Sequence, residues 1–177
     1  PYDSCRLLAL NLLSYVDNPF KKDAKFNFDK FRSHVAMAMR MMDDIIDLEL
    51  EKVEQIIEKI AADPEDEDVR RVELELWKKI LGMAQKGRRT GLGITAEGDM
   101  LAALGLVYGS EEAIAFAVEV QKTLAVEAYR ASVKMAAERG AFPVYDAAKE
   151  KDNPMIARIR EADPELYAEM EKVGLAD

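Results

Sequence analysis

The sequence predicts a mainly α fold with a few short strands. Three observations carry this. Apolar residues recur at steps of three and four over residues 28–60, 65–86 and 110–139, the spacing that gathers them on one side of a helix. Caps and breakers bracket these runs: Asn27 and Ser110 at starts, Asp63-Pro64, Gly87 and Gly140 at ends. Only residues 6–13 and a glycine-bearing stretch at 90–95 have a strand-like or tight-turn pattern. With 177 residues, 49% of them apolar and 33% charged, the chain can bury a core. It reads as a single segment, 1–177, rather than as disordered sequence.

Each element follows in order. Leu7 to Val16 is apolar with little alternation, the pattern of a strand buried on both faces. Asp17-Asn18-Pro19 ends it. Asn27 is placed to cap a long helix whose face runs through Phe28, Phe31, Val35, Met39, Met42, Ile46, Leu50 and Val53. A second stripe, Met37, Met41, Ile45 and Leu48, predicts that the middle of this helix is buried on most sides. After Asp63-Pro64, a helix over 65–86 takes Val69, Val72, Leu76, Trp77, Ile80 and Leu81 as its apolar face. Gly98 to Leu104 suits a short helix ended by Gly105. Ser110, followed by Glu111 and Glu112, starts the helix over 110–139, since acids complement a helix N-terminus. Its many alanines permit close packing. Asp146 and Asp163-Pro164 mark short helices after 146.

The formal net charge is −9, so the chain repels phosphate backbones and nucleic acid is excluded as a natural partner. The cluster Lys86-Gly87-Arg88-Arg89 is too short to reverse this. No run reaches the 18 apolar residues or so of a membrane span, and no signal peptide is legible. A lone cysteine fits a reducing compartment, which predicts a cytoplasmic location. The first residue is Pro1 and the sequence opens within a motif, so the expectation is a piece of a longer protein.

Four features carry candidate chemistry. Cys5 is the sole cysteine. It is either a small hydrophobe or a redox thiol whose partner lies outside this chain. Asp43, Asp44 and Asp47 sit inside an apolar helix, with Asp43 and Asp47 one turn apart. A carboxylate-bridged metal would need further ligands, and the only histidine, His34, lacks the spacing. No metal is therefore assigned, and pairing of these acids with Arg or Lys, or capping of amides, is the expectation. His34 reads as a hydrogen-bonded core histidine. Gly91-Leu92-Gly93-Ile94-Thr95-Ala96 matches the outline of a dinucleotide fingerprint, but that motif needs a preceding strand and a following helix. A charged helix end precedes it here, so a packing turn is preferred.

Four ordered blocks add a resemblance. They are Asp3-Ser4-Cys5-Arg6-Leu7-Leu8-Ala9-Leu10-Asn11-Leu12; Phe28-Asp29-Lys30-Phe31 leading to Met42-Asp43-Asp44-Ile45-Ile46-Asp47; Gly87-Arg88-Arg89-Thr90-Gly91-Leu92-Gly93-Ile94-Thr95; and Tyr108-Gly109-Ser110 through Ala128-Tyr129-Arg130-Ala131-Ser132 to Glu138-Arg139-Gly140-Ala141-Phe142. In order and spacing, the chain resembles ribonucleotide reductase catalytic subunits. The likeness is closest to the adenosylcobalamin-dependent, class II type.

The resemblance implies a partial segment of that family's ten-stranded α/β barrel, with the long helices outside. It implies reduction of ribonucleotides to deoxyribonucleotides for DNA replication by cysteine-based radical chemistry. Cys5 matches one of the family's redox-active cysteine pair, and Ser4 is a candidate for lining the substrate site. The radical-bearing Asn-x-Cys-x-Glu motif is expected upstream of Pro1, so the isolated piece is expected to be inactive. Adenosylcobalamin is the implied cofactor, with no contact residue assignable in this chain. Implied partners are the ribonucleotide substrate, the remainder of the parent chain and an external dithiol reductant, with homo-oligomerisation and self-association of the piece expected from its unpaired strands. In this setting the glycines and the three aspartates read as scaffold. Two other readings compete: a non-enzymatic helical interaction module, and an acid-rich helical metalloprotein built on Asp43, Asp44 and Asp47.

Overall fold

A computed structural model gives the fold and describes residues 2–150 and 152–173. Strand β1 (Arg6–Asn11) leads through a 3₁₀ turn (Leu12–Tyr15) to a small antiparallel pair, β2 (Val16–Asp17) with β3 (Lys25–Phe26). Two long helices follow, α1 (Phe28–Ala61) and α2 (Glu67–Gly87). They return the chain to strand β4 (Thr90–Thr95), which runs parallel to β1 from Arg6 opposite Thr90 to Asn11 opposite Thr95. Parallel strands need such a crossover. Then come α3 (Glu97–Ala103), the long α4 (Glu111–Arg139) and short helices α5 (Ala147–Glu150), α6 (Pro154–Ala162) and α7 (Pro164–Lys172). The fold is mainly α, and the strands among the described residues form two two-stranded sheets rather than a closed barrel.

Side-chain caps fix where the helices begin. Asn27 accepts from the Lys30 amide at 3.0 Å, and Ser110 Oγ from the Ala113 amide at 3.2 Å. Asp66 accepts from the Asp68 amide at 2.9 Å, so α2 begins at Glu67 and not at 65. Asp163 accepts from the Leu166 amide at 2.9 Å and starts α7 directly after α6.

Two buried clusters hold these elements. The larger joins Leu12, Tyr15 and Phe26 to Phe31 and Val35 of α1, Met100 of α3 and Val120 of α4. Phe26 meets Phe31 edge-on at 5.4 Å and Phe116 at 5.9 Å, the arrangement that aromatic quadrupoles favour. The smaller cluster packs Val126 and Val133 of α4 on Ile156, Ile159, Leu166 and Met170. Arg130 ties α4 to the α6–α7 junction through Asp163.

Three expectations need correction. The first strand does not run to residue 13, nor is it buried on both faces. The Asn11 side chain accepts from the Leu13 amide at 3.1 Å and turns the chain into the 3₁₀ turn. Burial along β1 alternates, and Leu7 is 80% exposed, because α1 packs on one face of the β1–β4 pair and Leu7 points to the other. The second α1 stripe is also exposed: Met37, Met41, Ile45 and Leu48 face away from the packed side. The packed side bears Phe31 and Val35, which sit in the larger cluster, and Met42, Ile46 and Val53. Finally, Val69, Val72 and Leu76 of α2 lie largely at the surface.

Candidate functional site

Cys5 sits one residue before β1 and is exposed. It borders an open cleft of about 830 Å³. The walls come from Met39 and Asp43 of α1, Arg88 after α2, Arg139 at the end of α4, and Phe142 in the segment that follows. That segment is held across the end of α2 by the Val144 amide, which donates to the Lys86 carbonyl at 3.2 Å. Ser4 is exposed beside Cys5 and does not line the cleft.

The chain on either side of Cys5 is tied down. Arg6 is 8% exposed. Its Nε donates to Glu49 Oε2 of α1 at 2.5 Å and its Nη1 to the Ser4 carbonyl at 2.7 Å. The Arg6 amide donates to the Arg89 carbonyl at 3.1 Å. Arg89 Nε donates in turn to Asp3 Oδ2 at 2.5 Å.

One wall of the cleft carries an ionic network. Arg88 stands in the left-handed region (φ 40°) as the C-cap of α2. Its Nε reaches Asp43 Oδ1 at 2.7 Å, its Nη1 Asp47 Oδ1 at 2.8 Å and its Nη2 the Asp43 carbonyl at 3.0 Å. These contacts offset the cost of that backbone conformation in a residue with a Cβ. Arg139 bridges the same acids from α4: Nη1 pairs with Asp43 and Nη2 with Asp44 Oδ1 at 2.6 Å. The hydrogen bond to Asp43 first, with the charges of both acids, raises Arg88 above the usual arginine range. Arg139 is raised as well, chiefly by its hydrogen bond to Asp44. One carboxylate oxygen from each of Asp43, Asp44 and Asp47 lies within 4.8 Å of the other two. Their lone pairs point to guanidinium donors, which satisfies the acids by ion pairing.

His34 is half-buried, and its Nδ1 shares a hydrogen bond with the Tyr15 hydroxyl at 3.2 Å. Gly91 and Gly93 lie within β4, not in a strand-to-helix turn. A Cβ at Gly91 would come within 2.5 Å of Leu7 Cδ2, the tip of an exposed side chain that is free to turn away.

Arg6, Arg88 and Arg139 did not stand out as ion-pair partners in the sequence. A signal was present: two acids one turn apart inside an apolar helix, and arginines directly at two helix ends. Which arginine meets which acid depends on contacts separated by 41 to 96 residues, beyond any local pattern.

A family described as the ribonucleotide reductase barrel domain matches residues 1–175. The chain is 34% identical over 145 residues to a vitamin B12-dependent ribonucleoside-diphosphate reductase of Thermoplasma acidophilum, covering 82% of this chain and 15% of that protein. A protein of the same name from Mycobacterium tuberculosis is 29% identical, covering 82% of this chain and 16% of its own length. The ribonucleoside-diphosphate reductase subunit alpha of Chlamydia pneumoniae is 26% identical, covering 82% and 11%. The chain thus spans about a sixth or less of the length of these curated relatives. With its ordered motifs, its paired parallel strands and a match along nearly its whole length, the chain belongs to the ribonucleotide reductase barrel-domain family.

Proposed function

We propose that this chain is part of the catalytic barrel of an adenosylcobalamin-dependent ribonucleotide reductase, in which Cys5 is one half of the redox-active cysteine pair. The observation that carries the reading is the position of Cys5. In a chain of this family, the sole thiol stands exposed at the head of β1, bordering a cleft and bracketed by ion pairs. A structural cysteine is normally buried. The names of the relatives support a ribonucleoside diphosphate as substrate and a B12 cofactor.

Cys5 and a second cysteine of the parent chain together give up two electrons and two protons and become a disulfide. The ribose 2′-hydroxyl leaves as water, and the 2′-carbon gains hydrogen. An external dithiol then returns the pair to thiols by exchange. Ser4, exposed beside Cys5 though not on the cleft wall, meets the substrate from outside the cleft in this reading. Several groups must converge on one sugar, so the remainder of the parent chain is required and the 177-residue piece is inactive by itself.

Adenosylcobalamin, when bound, supplies the radical that starts the reaction. The described residues do not fit a seat for it. His34 is engaged with Tyr15, and the arginines and aspartates of the cleft are engaged with one another. Its contacts therefore fall to the rest of the parent chain.

The test is Cys5→Ser in the full-length protein. Multiple turnover with a dithiol reductant should fall by more than about a hundredfold, while nucleotide binding persists. Turnover equal to the parent's would remove Cys5 from the reaction.

A further inference from the structure

We infer that Arg6 and Glu49 are positioning residues that fix the backbone of Cys5 for disulfide formation, an inference that rests on the proposed role of Cys5. Arg6 and Asp43 are the buried charged residues among those described. An interior guanidinium is costly to desolvate unless its donors are well placed. A leucine would fill a buried strand position without that penalty. Arg6 uses its fork on two different targets instead. One arm reaches Glu49 on α1, and the other turns back to the carbonyl of Ser4. The Ser4–Cys5 peptide unit is thereby latched to α1.

Two further ties act on the other side. The Arg6 amide is held by the Arg89 carbonyl at the head of β4, and Arg89 also grips Asp3. The backbone flanking Cys5 is thus held at three points, against α1 and against β4, while Cys5 itself stays exposed. Disulfides tolerate only a narrow geometry, with Cα atoms roughly 4.4 to 6.8 Å apart, and strained ones are reduced more readily. Fixing one half of the pair in advance removes the search for that geometry. Arg6 exchanges no electron or proton in this step.

Lysine at position 6 separates positioning from simple charge burial. Its single ammonium can meet Glu49, but it lacks the planar fork that reaches two acceptors at once. The experiment uses the full-length protein with Arg6→Lys, Glu49→Gln, Glu49→Ala and Cys5→Ser. It measures kcat and KM under a dithiol reductant, the thiol–disulfide equilibrium of Cys5 in glutathione buffers, and thermal unfolding. Arg6→Lys should unfold near the parent temperature, yet lose about tenfold or more in kcat with KM for the nucleotide unchanged. Its disulfide should be reduced more readily by a similar factor. Glu49→Gln, which keeps an acceptor but loses the charge facing the buried Arg6, should shift the equilibrium in the same direction as Arg6→Lys and by less.

Parent-like kcat and equilibrium in Arg6→Lys overturn the inference, as do losses that merely track a lowered unfolding temperature. Should Arg6→Lys not fold, Glu49→Ala decides: the same shift in equilibrium supports positioning, and an unshifted equilibrium refutes it. Cys5→Ser separates the two levels. If it turns over normally, the reading of Cys5 fails. If it is inert while Arg6→Lys behaves as the parent, positioning alone fails.

Discussion

Asp43 accepts from two guanidiniums at once, one after α2 and one at the end of α4. Removing its charge deprives the half-buried Arg88 guanidinium of one of its two carboxylate partners, while the exposed Arg139 keeps Asp44. We expect Asp43→Asn to lower unfolding free energy by about 1–2 kcal/mol, the loss falling on the Arg88 contact and discounted for its partial exposure. The denaturant midpoint measures this, with the slope unchanged. Asp29→Asn, by contrast, should leave the midpoint where it is, because the Asp29–Arg32 pair is solvent-exposed. A tyrosine gives the pH dependence. Burial first, then the charge of Glu150, raises the Tyr129 hydroxyl above its ordinary value of 10.0. The folded chain therefore holds this proton more tightly than the unfolded chain. Stability is intact below pH 10 and falls as pH rises above it. Tyr129→Phe should flatten that decline in alkaline unfolding curves; an unaltered slope would count against it. At this scale the sequence marked Asp43 and Asp47 as acids out of place in an apolar helix. It left their partners open, because Arg88 and Arg139 are 41 or more residues away.

The two stripes of α1 have different fates. Met42 and Ile46 lie on the packed side, while Met41 and Ile45 lie on the outer side. Met42→Ala should cost about 2–5 kcal/mol, since a void opens in a packed core. Met41→Lys in the isolated chain should stay within about 0.5 kcal/mol of the parent, as surface changes do. Urea unfolding of the two variants decides the assignment, and equal losses would mean that the outer stripe is covered. The helix starts were legible in the sequence, because a cap is a contact between residues two or three apart, as at Asn27 and Ser110. The end of the first strand was not. A run of apolar residues carries no sign that Asn11 will bond to the Leu13 amide rather than extend the ladder.

As a whole, the described molecule leaves much unpaired. The outer stripe of α1, the Val69, Val72 and Leu76 surface of α2, and the Leu7 side of the sheet all face outward. Each strand of the β1–β4 pair has a single neighbour among the described residues. Open edges and contiguous apolar surface promote association. The isolated 177-residue chain should therefore show a mass that rises with concentration in light scattering. A monomer of constant mass with a well-dispersed NMR spectrum would contradict this. No described helix is long and apolar enough to cross a membrane.

The helical class, the caps at Asn27 and Ser110 and the family likeness could be read from the residues alone, because caps, breakers and periodicity are encoded between near neighbours and the motifs are contiguous. The sequence also singled out Cys5 as the one thiol. It took the packed chain to show that α1 buries one stripe and exposes the other, that Arg88 and Arg139 pair with the three aspartates, and that a buried Arg6 latches the chain beside Cys5 to Glu49. Those outcomes depend on which surfaces meet across long stretches of chain. No local pattern of residues specifies that; the packing of whole elements does.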